Sequence, residues 1–368
     1  MTEAMAITGI GVLTPVGLSA PASFAALRAG VAGLREVETH KVDGEYFDKA
    51  PVVGGRVPTE WFSGGPVEWE WPGHERFGVV PPPAPERLVA LGATRLLELA
   101  LPAAREALGQ TAARGAADRL GLYLGVDYAD KSDPLIDALV AKLGLTVDEA
   151  SGLSAGRAAG LLALEAAVQD LQTQVVQIAV VGSVDSLIRT EALRRLEAKG
   201  TLRSGSNPQG AIPGEAAAFL VLETSETARR RKARPLAWVV ASASAKEPTA
   251  GTEEPNHSVG LSEVLRRARE DAGLATRPLV ICDLNGDRYR AIEWALANVR
   301  ALGNLHGDAD IWHPADCIGD SGAASGLLNV AWGATALQKR YARADRILVW
   351  GASDGKSRAA AVLAPAAA

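Results

Sequence analysis

Reactive side chains are scarce in this sequence. Its 368 residues include two cysteines, Cys282 and Cys317, and five histidines. Two cysteines cannot build a disulfide framework, and their spacing does not match a metal-binding signature. We therefore predict a chain without structural disulfides, without a metal site and without a bound cofactor.

Signals for a membrane or a nucleic acid are also missing. No apolar run approaches the roughly 20 residues that a membrane-spanning helix needs. The N-terminal sequence MTEAMAITGIGV contains an acid and no basic stretch, so we do not expect a secretory signal. A formal net charge of -5 and a pI of about 5.7 disfavour binding to nucleic acid or to an anionic membrane. We expect a cytoplasmic protein.

The composition is that of a folded protein. Hydrophobic residues make up 48% of the chain and charged residues 22%, which is unlike a disordered sequence. The length is sufficient for one large domain or two medium ones.

Several elements follow from periodicity. Apolar runs predict strands over residues 6–12 and 120–126, and helical periodicity predicts helices over 20–29 and 87–108. The segment 36–85 is rich in Trp, Pro and Gly and shows neither period. We therefore predict that it is a long surface excursion.

An internal repeat indicates a duplicated fold. Residues 158–183 and 324–353 each contain a helix that opens with small residues and Gly-Leu-Leu, then a linker, then an apolar strand that ends in glycine. A weaker second pair matches the opening strand 6–12 with residues 278–284. A helix followed by a continuous apolar strand, found twice, predicts two related α/β halves with buried sheets.

Four blocks in order carry a family resemblance. They are ITGIGVLTPVGLSAPASFAALRAGVAGL, AIPGEAAAFLVLE over 211–223, CIGDSGAASGLLNVAWGATAL over 317–337 and WGASDGKS over 350–357. Together they resemble the β-ketoacyl synthases of the thiolase superfamily. The resemblance implies an α/β, thiolase-like fold with duplicated α/β halves in five layers (α-β-α-β-α). We expect residues 1–223 to form the N-terminal half and residues 235–368 the C-terminal half.

The resemblance also locates the positions where condensing chemistry would take place. That chemistry needs a cysteine nucleophile at the start of a buried helix and two histidines that assist decarboxylation and stabilise the oxyanion. The matching positions hold Arg157, Asn285 and Asp320, and Ala315 stands where a lysine usually precedes the second histidine. We therefore predict a pseudoenzyme of the 3-oxoacyl-ACP synthase type, with no catalytic residues.

The three substituted positions predict a contact of their own. An arginine buried alone would lose several kcal/mol of solvation, whereas a carboxylate opposite it offers a bidentate partner. We predict that Arg157 and Asp320 form an ion pair that plugs the site, with Asn285 nearby. The alternative is a shifted helix start that leaves Arg157 in solvent. Together with Ser154, these residues are the candidates for a pocket.

A serine hydrolase is an alternative function. Residues 152–156 (GLSAG) match the G-x-S-x-G pattern, and a helix follows them. The preceding stretch 143–151 does not read as the buried strand that should present the serine. The candidate bases are three downstream histidines that no feature of the sequence distinguishes: His257, His306 and His313. The competing interpretation gives Ser154 the role of an N-cap or loop residue.

Two functions remain open for a chain without condensing residues. In the first it is an adaptor or scaffold for a protein, such as effector cargo of a bacterial secretion system. In the second it resembles a chain-length factor and pairs with an active ketosynthase of fatty acid or polyketide synthesis. The short stretch 125–157 favours the adaptor, because relatives usually carry dimer and acyl-pocket elements there. In both cases we expect a homodimer or heterodimer through the strand that leads toward Ser154, since an exposed edge strand is an aggregation liability.

Overall fold

The computed structural model describes residues 3–43, 49–58, 94–111, 118–127, 129–307 and 310–366. The strands of these residues are β1 Met5–Leu13, β2 Leu34–Asp43, β3 Lys49–Gly55, β4 Leu120–Val126, β5 Glu149–Ser154, β6 Ile178–Ser186, β7 Glu215–Thr224, β8 Ala237–Lys246, β9 Leu279–Cys282, β10 Ile311–Trp312, β11 Ile347–Ala352 and β12 Ser357–Pro365. Their α-helices are α1 Ala20–Arg28, α2 Thr94–Gln110, α3 Ala129–Leu143, α4 Ala159–Gln172, α5 Thr190–Ala198, α6 Ser225–Arg231, α7 Val259–Asp271, α8 Arg288–Leu302, α9 Ala315–Ile318 and α10 Ser325–Gln338.

The sheet displays the duplication directly. Ten strands form one sheet in the order β10-β9-β11-β12-β8-β1-β7-β6-β4-β5. In the N-terminal half, β1, β7 and β6 pair antiparallel, while β6, β4 and β5 run parallel. In the C-terminal half, β8, β12 and β11 pair antiparallel, while β11, β9 and β10 run parallel. The two halves therefore repeat one topology, and the predicted duplication is confirmed.

A pseudo-two-fold axis passes between β1 and β8. These strands pair antiparallel, and Ala6 lies opposite Trp238. The axis makes β8 the counterpart of β1, and β9 the counterpart of β4. Our match of residues 6–12 with 278–284 is therefore wrong, because short apolar runs look alike and only the strand order distinguishes them. The first repeat is confirmed, since α4 and β6 correspond to α10 and β11.

Alternation of side chains divides the core into layers. On β12, Ala361 and Leu363 enter a central core, whereas Ala360 and Val362 enter an outer one. The central core holds the apolar faces of α4 and α10, the outer core of the N-terminal half holds those of α2 and α3, and the outer core of the C-terminal half holds those of α7 and α8. The helices of the central core therefore lie between the two halves of the sheet, and the helices of the outer cores lie outside them. This arrangement gives the predicted five layers, α-β-α-β-α.

The first part of the segment 36–85 has a different secondary structure from the one we predicted. Strands β2 and β3 pair antiparallel, and Val37 and Val52 are buried against α5. The prediction of an excursion without strands is wrong for this hairpin, because the Trp, Pro and Gly content of the later residues hid its short strand period. Residues 59–93 lie outside the described residues, and so does the beginning of the helix predicted over 87–108.

The remaining predicted elements agree with the structure within two residues. Strand β1 covers the prediction 6–12, strand β4 matches 120–126, and α1 covers most of 20–29. Ser19 caps the start of α1 by accepting a hydrogen bond from the backbone N–H of Ala22. Within the ranges that the structure describes, no helix is long and apolar enough to cross a bilayer.

Candidate functional site

Two matching turns begin the central helices. The 3-10 turns Gly156–Ala158 and Gly322–Ala324 lead directly into α4 and α10. Gly156 has φ +54° and Gly322 has φ +56°, a left-handed conformation that glycine adopts without steric cost. This sharp turn directs the residue after the glycine toward the interface of the two halves. In the N-terminal half that residue is Arg157.

Arg157 meets Asp320 in the interior. Its Nε lies 3.1 Å from Oδ1 and 3.0 Å from Oδ2 of Asp320, and its Nη2 also contacts Oδ2. The side chain of Arg157 is 9% exposed and that of Asp320 is 2% exposed. The guanidinium therefore forms the bidentate ion pair expected from the sequence and does not point to solvent.

Further donors complete the coordination of Asp320. Nδ2 of Asn285 donates to Oδ2 over 2.6 Å, and the backbone N–H of Gly322 donates to Oδ1 over 2.9 Å. The backbone of Asp320 is fixed as well, because its N–H donates to the carbonyl of Ile212 over 2.7 Å. The structure thus brings Arg157, Asn285 and Asp320 into one hydrogen-bonded cluster.

A second carboxylate reaches the same guanidinium. Nη1 of Arg157 lies 2.5 Å from Oδ1 of Asp354, in the loop between β11 and β12. Nη2 of Arg290, on α8, lies 2.7 Å from the same oxygen, and Nη1 of Arg290 lies 3.3 Å from Oδ2 of Asp283. Sequence reasoning missed Asp283, Arg290 and Asp354. Asp354 falls in WGASDGKS, one of the four blocks that carry the resemblance, so this block was the signal that could have found it.

The charged groups of this network stabilise one another in their ionised forms. Burial alone would lower the pKa of Arg157, but the charges of Asp320 and Asp354 raise it well above its usual value. Burial alone would raise the pKa of Asp320, but the charge of Arg157 lowers it. The same guanidinium lowers the pKa of Asp354. These three side chains are therefore ionised at neutral pH, and none is suited to accept or donate a proton there.

A cavity of about 360 Å³ opens beside the cluster, and it is lined by charged groups. Arg195 lines one wall and forms an ion pair with Asp127 at 2.9 Å. Asp185 lines another wall, and burial, followed by the nearby charge of Asp127, raises its pKa to about 6. Such walls suit polar contents better than a hydrocarbon chain.

Ser154 lies at the rim of this cavity without a base. Its Oγ donates to the backbone carbonyl of Asp127 over 2.9 Å, and no histidine is found among the described residues that line the cavity. His313 contacts Asp316 instead, at 3.1 Å. The strand before the serine does exist, as β5, but it is an exposed edge strand. The geometry gives Ser154 no means of activation as a nucleophile.

The two thiols are not part of the site. Cys282 is fully buried in β9, and burial raises the pKa of its thiol far above the usual range. Cys317, on α9, also has a raised pKa because of burial. Neither residue lines the cavity beside Arg157. Across the part of the chain that the structure describes, no group of three His, Cys, Asp or Glu side chains is placed to hold a metal ion.

The shifted pKa values predict how the site responds to acid. Asp354 has a lowered pKa in the folded protein, so the stability that it contributes is fully present above the unfolded value of about 3.9 and is lost as the pH falls below it. We expect the difference in unfolding free energy between wild type and Asp354→Asn to be constant from neutral pH to about pH 5 and to shrink toward pH 3. Urea denaturation of both proteins at each pH measures it. A difference that grows on acidification would contradict this assignment.

The comparisons with known proteins agree with this architecture. Residues 149–228 match the family model of the β-ketoacyl synthase N-terminal domain. A comparison with curated proteins gives no match. The ketosynthase from module 6 of the bacillaene synthase from Bacillus subtilis 168 superimposes with a TM-score of 0.77 at 16% identity, over 100% of this chain and 73% of that chain.

Two further solved structures are similar over the full length of both chains. The ishigamide ketosynthase/chain length factor has a TM-score of 0.75 at 19% identity, and the match covers 100% of each chain. A second similar chain comes from the structure of a type II PKS acyl-carrier protein in complex with its ketosynthase bound to the hexaketide. It has a TM-score of 0.75 at 17% identity, and the match again covers 100% of each chain. Strand order and layers agree with these structures, and we conclude that this chain has a ketosynthase-like fold of the thiolase type, within which residues 149–228 match the β-ketoacyl synthase N-terminal domain.

Proposed function

We propose that this chain is a ketosynthase-like subunit that does not condense acyl groups and acts by binding another protein. The observation that carries this proposal is the buried ion pair of Arg157 and Asp320. It occupies the place where the family resemblance puts the nucleophile and a histidine. A guanidinium remains protonated at any physiological pH, so it supplies neither a nucleophile nor a base.

The surroundings support the absence of condensation. Asn285, at the position of the other histidine, donates its amide to Asp320 and so is already engaged. The pKa of Asp320 is lowered, which keeps it an acceptor with no proton to give. A condensing site needs an imidazole or similar group aimed at a developing oxyanion. The described lining of the cavity has no imidazole.

The exposed edge of β5 supports the binding of a partner. This strand is the last in the sheet and pairs only with β4 among the described residues. Glu149, Ala150, Gly152 and Ser154 are exposed along it. A free, flat edge offers backbone N–H and C=O groups to a strand of another chain, and proteins usually cover such an edge. The resemblance to the thiolase fold implies that this edge is buried in a two-fold pair.

We favour an active ketosynthase as the partner. A solved ketosynthase/chain length factor resembles this chain over its whole length, and a pair of thiolase folds would place β5 against an equivalent strand. The adaptor for a secretion effector would use the same edge with different cargo, and no feature of the described residues points to such cargo. The short connection between β4 and β5, whose described residues form α3, leaves the edge open in either case.

Substitution of the exposed edge tests this proposal. We expect wild type to associate with itself or with an active ketosynthase, and Ala150→Arg to weaken that association at least about tenfold, because a long charged side chain blocks strand pairing. Light scattering after gel filtration, with and without the ketosynthase, measures the complex. Val299→Arg is the matched control, because Val299 is 72% exposed on α8, away from the edge. A wild-type monomer in both samples, or an Ala150→Arg protein that associates normally, would contradict the proposal.

A further inference from the structure

A segment with a small core of its own covers the cavity beside Arg157. Residues 187–202 follow β6 and contain α5. The apolar face of this segment packs on Val37 and Val52 of the hairpin of β2 and β3. These contacts form a cluster that is separate from the central core and from the two outer cores. We call residues 187–202 the cap.

The cap is an addition to the duplicated topology. After β6 the chain forms the cap before it returns as β7, whereas after β11 it turns directly into β12 through residues 353–356. The C-terminal half therefore completes the same strand order without such a segment. Because the cap is not part of any of the five layers, it can move while the layers stay packed.

The cavity separates one side of the cap from the body of the protein. Four residues of the cap form one wall, and the turns that precede α4 and α10 lie on the other side; the four are Leu187, Arg195, Leu196 and Lys199. A space of about 360 Å³ is large enough to hold water. Direct van der Waals contact between the two walls is therefore interrupted.

Ion pairs connect the cap to the body across this cavity. Nη2 of Arg195 lies 2.9 Å from Oδ2 of Asp127, which follows β4 in the N-terminal half. Nζ of Lys199 lies 3.8 Å from Oδ2 of Asp354 in the C-terminal half. Solvent reaches both pairs, because the side chains of Arg195 and Asp127 are 26% and 21% exposed and those of Lys199 and Asp354 are 50% and 46% exposed. Ion pairs of this kind are weak and are screened by salt.

The two ends of the cap are held differently. At its start the backbone N–H of Leu187 donates to the carbonyl of Gly214 over 2.9 Å, beside the first residue of β7. Nε of Arg189 donates to the carbonyl of Ser186 over 3.1 Å. After α5, Gly200 has φ +64°, and no atom lies within 4 Å of the position that a Cβ would take. The start of the cap is therefore suited to act as a hinge, and the end of α5 has room to move.

We propose that the cap opens over the cavity when its ion pairs with Asp127 and Asp354 are screened or removed, while its apolar face stays on β2 and β3. Opening admits small polar molecules to Arg157, whose side chain is only 9% exposed with the cap closed. Salt then controls access to the cavity. The cap takes no part in the pairing of β5, so this proposal and the proposed function can fail separately.

The accessibility of introduced cysteines tests the opening. Leu196→Cys places a thiol on the wall that the cap contributes to the cavity, and Leu193→Cys places one in the same apolar cluster but outside the cavity lining. Both changes are made in the Cys317→Ser chain, whose remaining thiol, that of Cys282, is fully buried. Labelling with the uncharged reagent N-ethylmaleimide is followed by mass spectrometry at about 0.05 M and about 1 M NaCl.

The two thiols should respond differently. We expect Leu196→Cys to react at least about fivefold faster at the higher salt concentration, because screening weakens the ion pairs that hold the cap closed. Arg195→Met, added to Leu196→Cys, should accelerate labelling at low salt in the same way. Arg194→Met is the matched control: it removes an exposed arginine next to Arg195 and should change the rate by less than about twofold. Leu193→Cys should stay slow throughout.

Two results would overturn the proposal. Equal acceleration of Leu193→Cys and Leu196→Cys would show that α5 unfolds and that the cap does not open as a unit. A labelling rate of Leu196→Cys that neither salt nor Arg195→Met changes would show that these ion pairs do not hold the cap. Leu187→Cys, at a second position of the same wall, replaces Leu196→Cys in the test if the latter does not fold.

Discussion

Removal of either partner from the Arg157–Asp320 pair is expected to lower the free energy of unfolding by about 3–5 kcal/mol, because the charge left behind stays buried. In Asp320→Leu, Arg157 keeps only Asp354, whose side chain is 46% exposed. In Arg157→Met, Asp320 keeps the amide of Asn285 but loses its cation. Chemical denaturation followed by circular dichroism measures both variants.

The double variant identifies the cause of the loss. Arg157→Met/Asp320→Leu leaves neither charge behind and should be more stable than the sum of the two single losses predicts. Arg266→Met is the matched control, because Arg266 is a surface arginine that pairs with Glu263 and Glu270 on α7. This control should change stability little. Small and strictly additive effects of the two single variants would contradict a buried, mutually dependent pair.

Arg358 is the second position where we expect a large effect. Its guanidinium is fully buried in β12 and pairs with Glu293 of α8, with 2.7 Å between Nε and Oε1. Its Nη1 also donates to the carbonyls of Ser353 and Gly355, which flank Asp354. Arg358 therefore holds the loop that carries Asp354 to Arg157. Arg358→Met should cost about 3–5 kcal/mol of unfolding free energy, because Glu293 would remain buried without a cation.

Two comparisons make the Arg358 prediction specific. Lys356→Met changes an exposed cation of the same loop and should have little effect on stability. Arg358→Met/Glu293→Leu removes both charges and should recover part of the loss. If Arg358→Met unfolds at the same denaturant concentration as wild type, Arg358 does not hold this loop.

The sequence predicted the architecture where long segments repeat. Residues 158–183 and 324–353 share both a helix and a strand, and this double match was enough to identify two halves. The match of 6–12 with 278–284 compared only one short apolar run in each half. It was wrong because strand order depends on crossover connections, which local sequence patterns do not reveal. The hairpin of β2 and β3 was missed because the Trp, Pro and Gly content of the residues that follow it hid its short strand period.

The site was predictable in part for a similar reason. Arg157, Asn285 and Asp320 stand at positions that a family pattern aligns, and an arginine and an aspartate in one buried place imply a pair. Asp354 and Arg290 are separated from Arg157 by more than a hundred residues. The contact of Asp354 with Arg157 depends on the loop that Arg358 holds. The contact of Arg290 with Asp354 depends on the direction of α8, which begins just after Asn285.

The mass of the intact protein is the most direct test of whether this chain lacks condensing chemistry. The purified chain is incubated with acyl-CoA and acyl-carrier donors, beside an active ketosynthase that the same donors acylate, and both are weighed by mass spectrometry. We predict an adduct on the active ketosynthase and an unchanged mass for this chain, because Arg157 stands where the family resemblance puts the thiol. A stoichiometric acyl adduct on this chain, at Ser154 or elsewhere, would contradict the account.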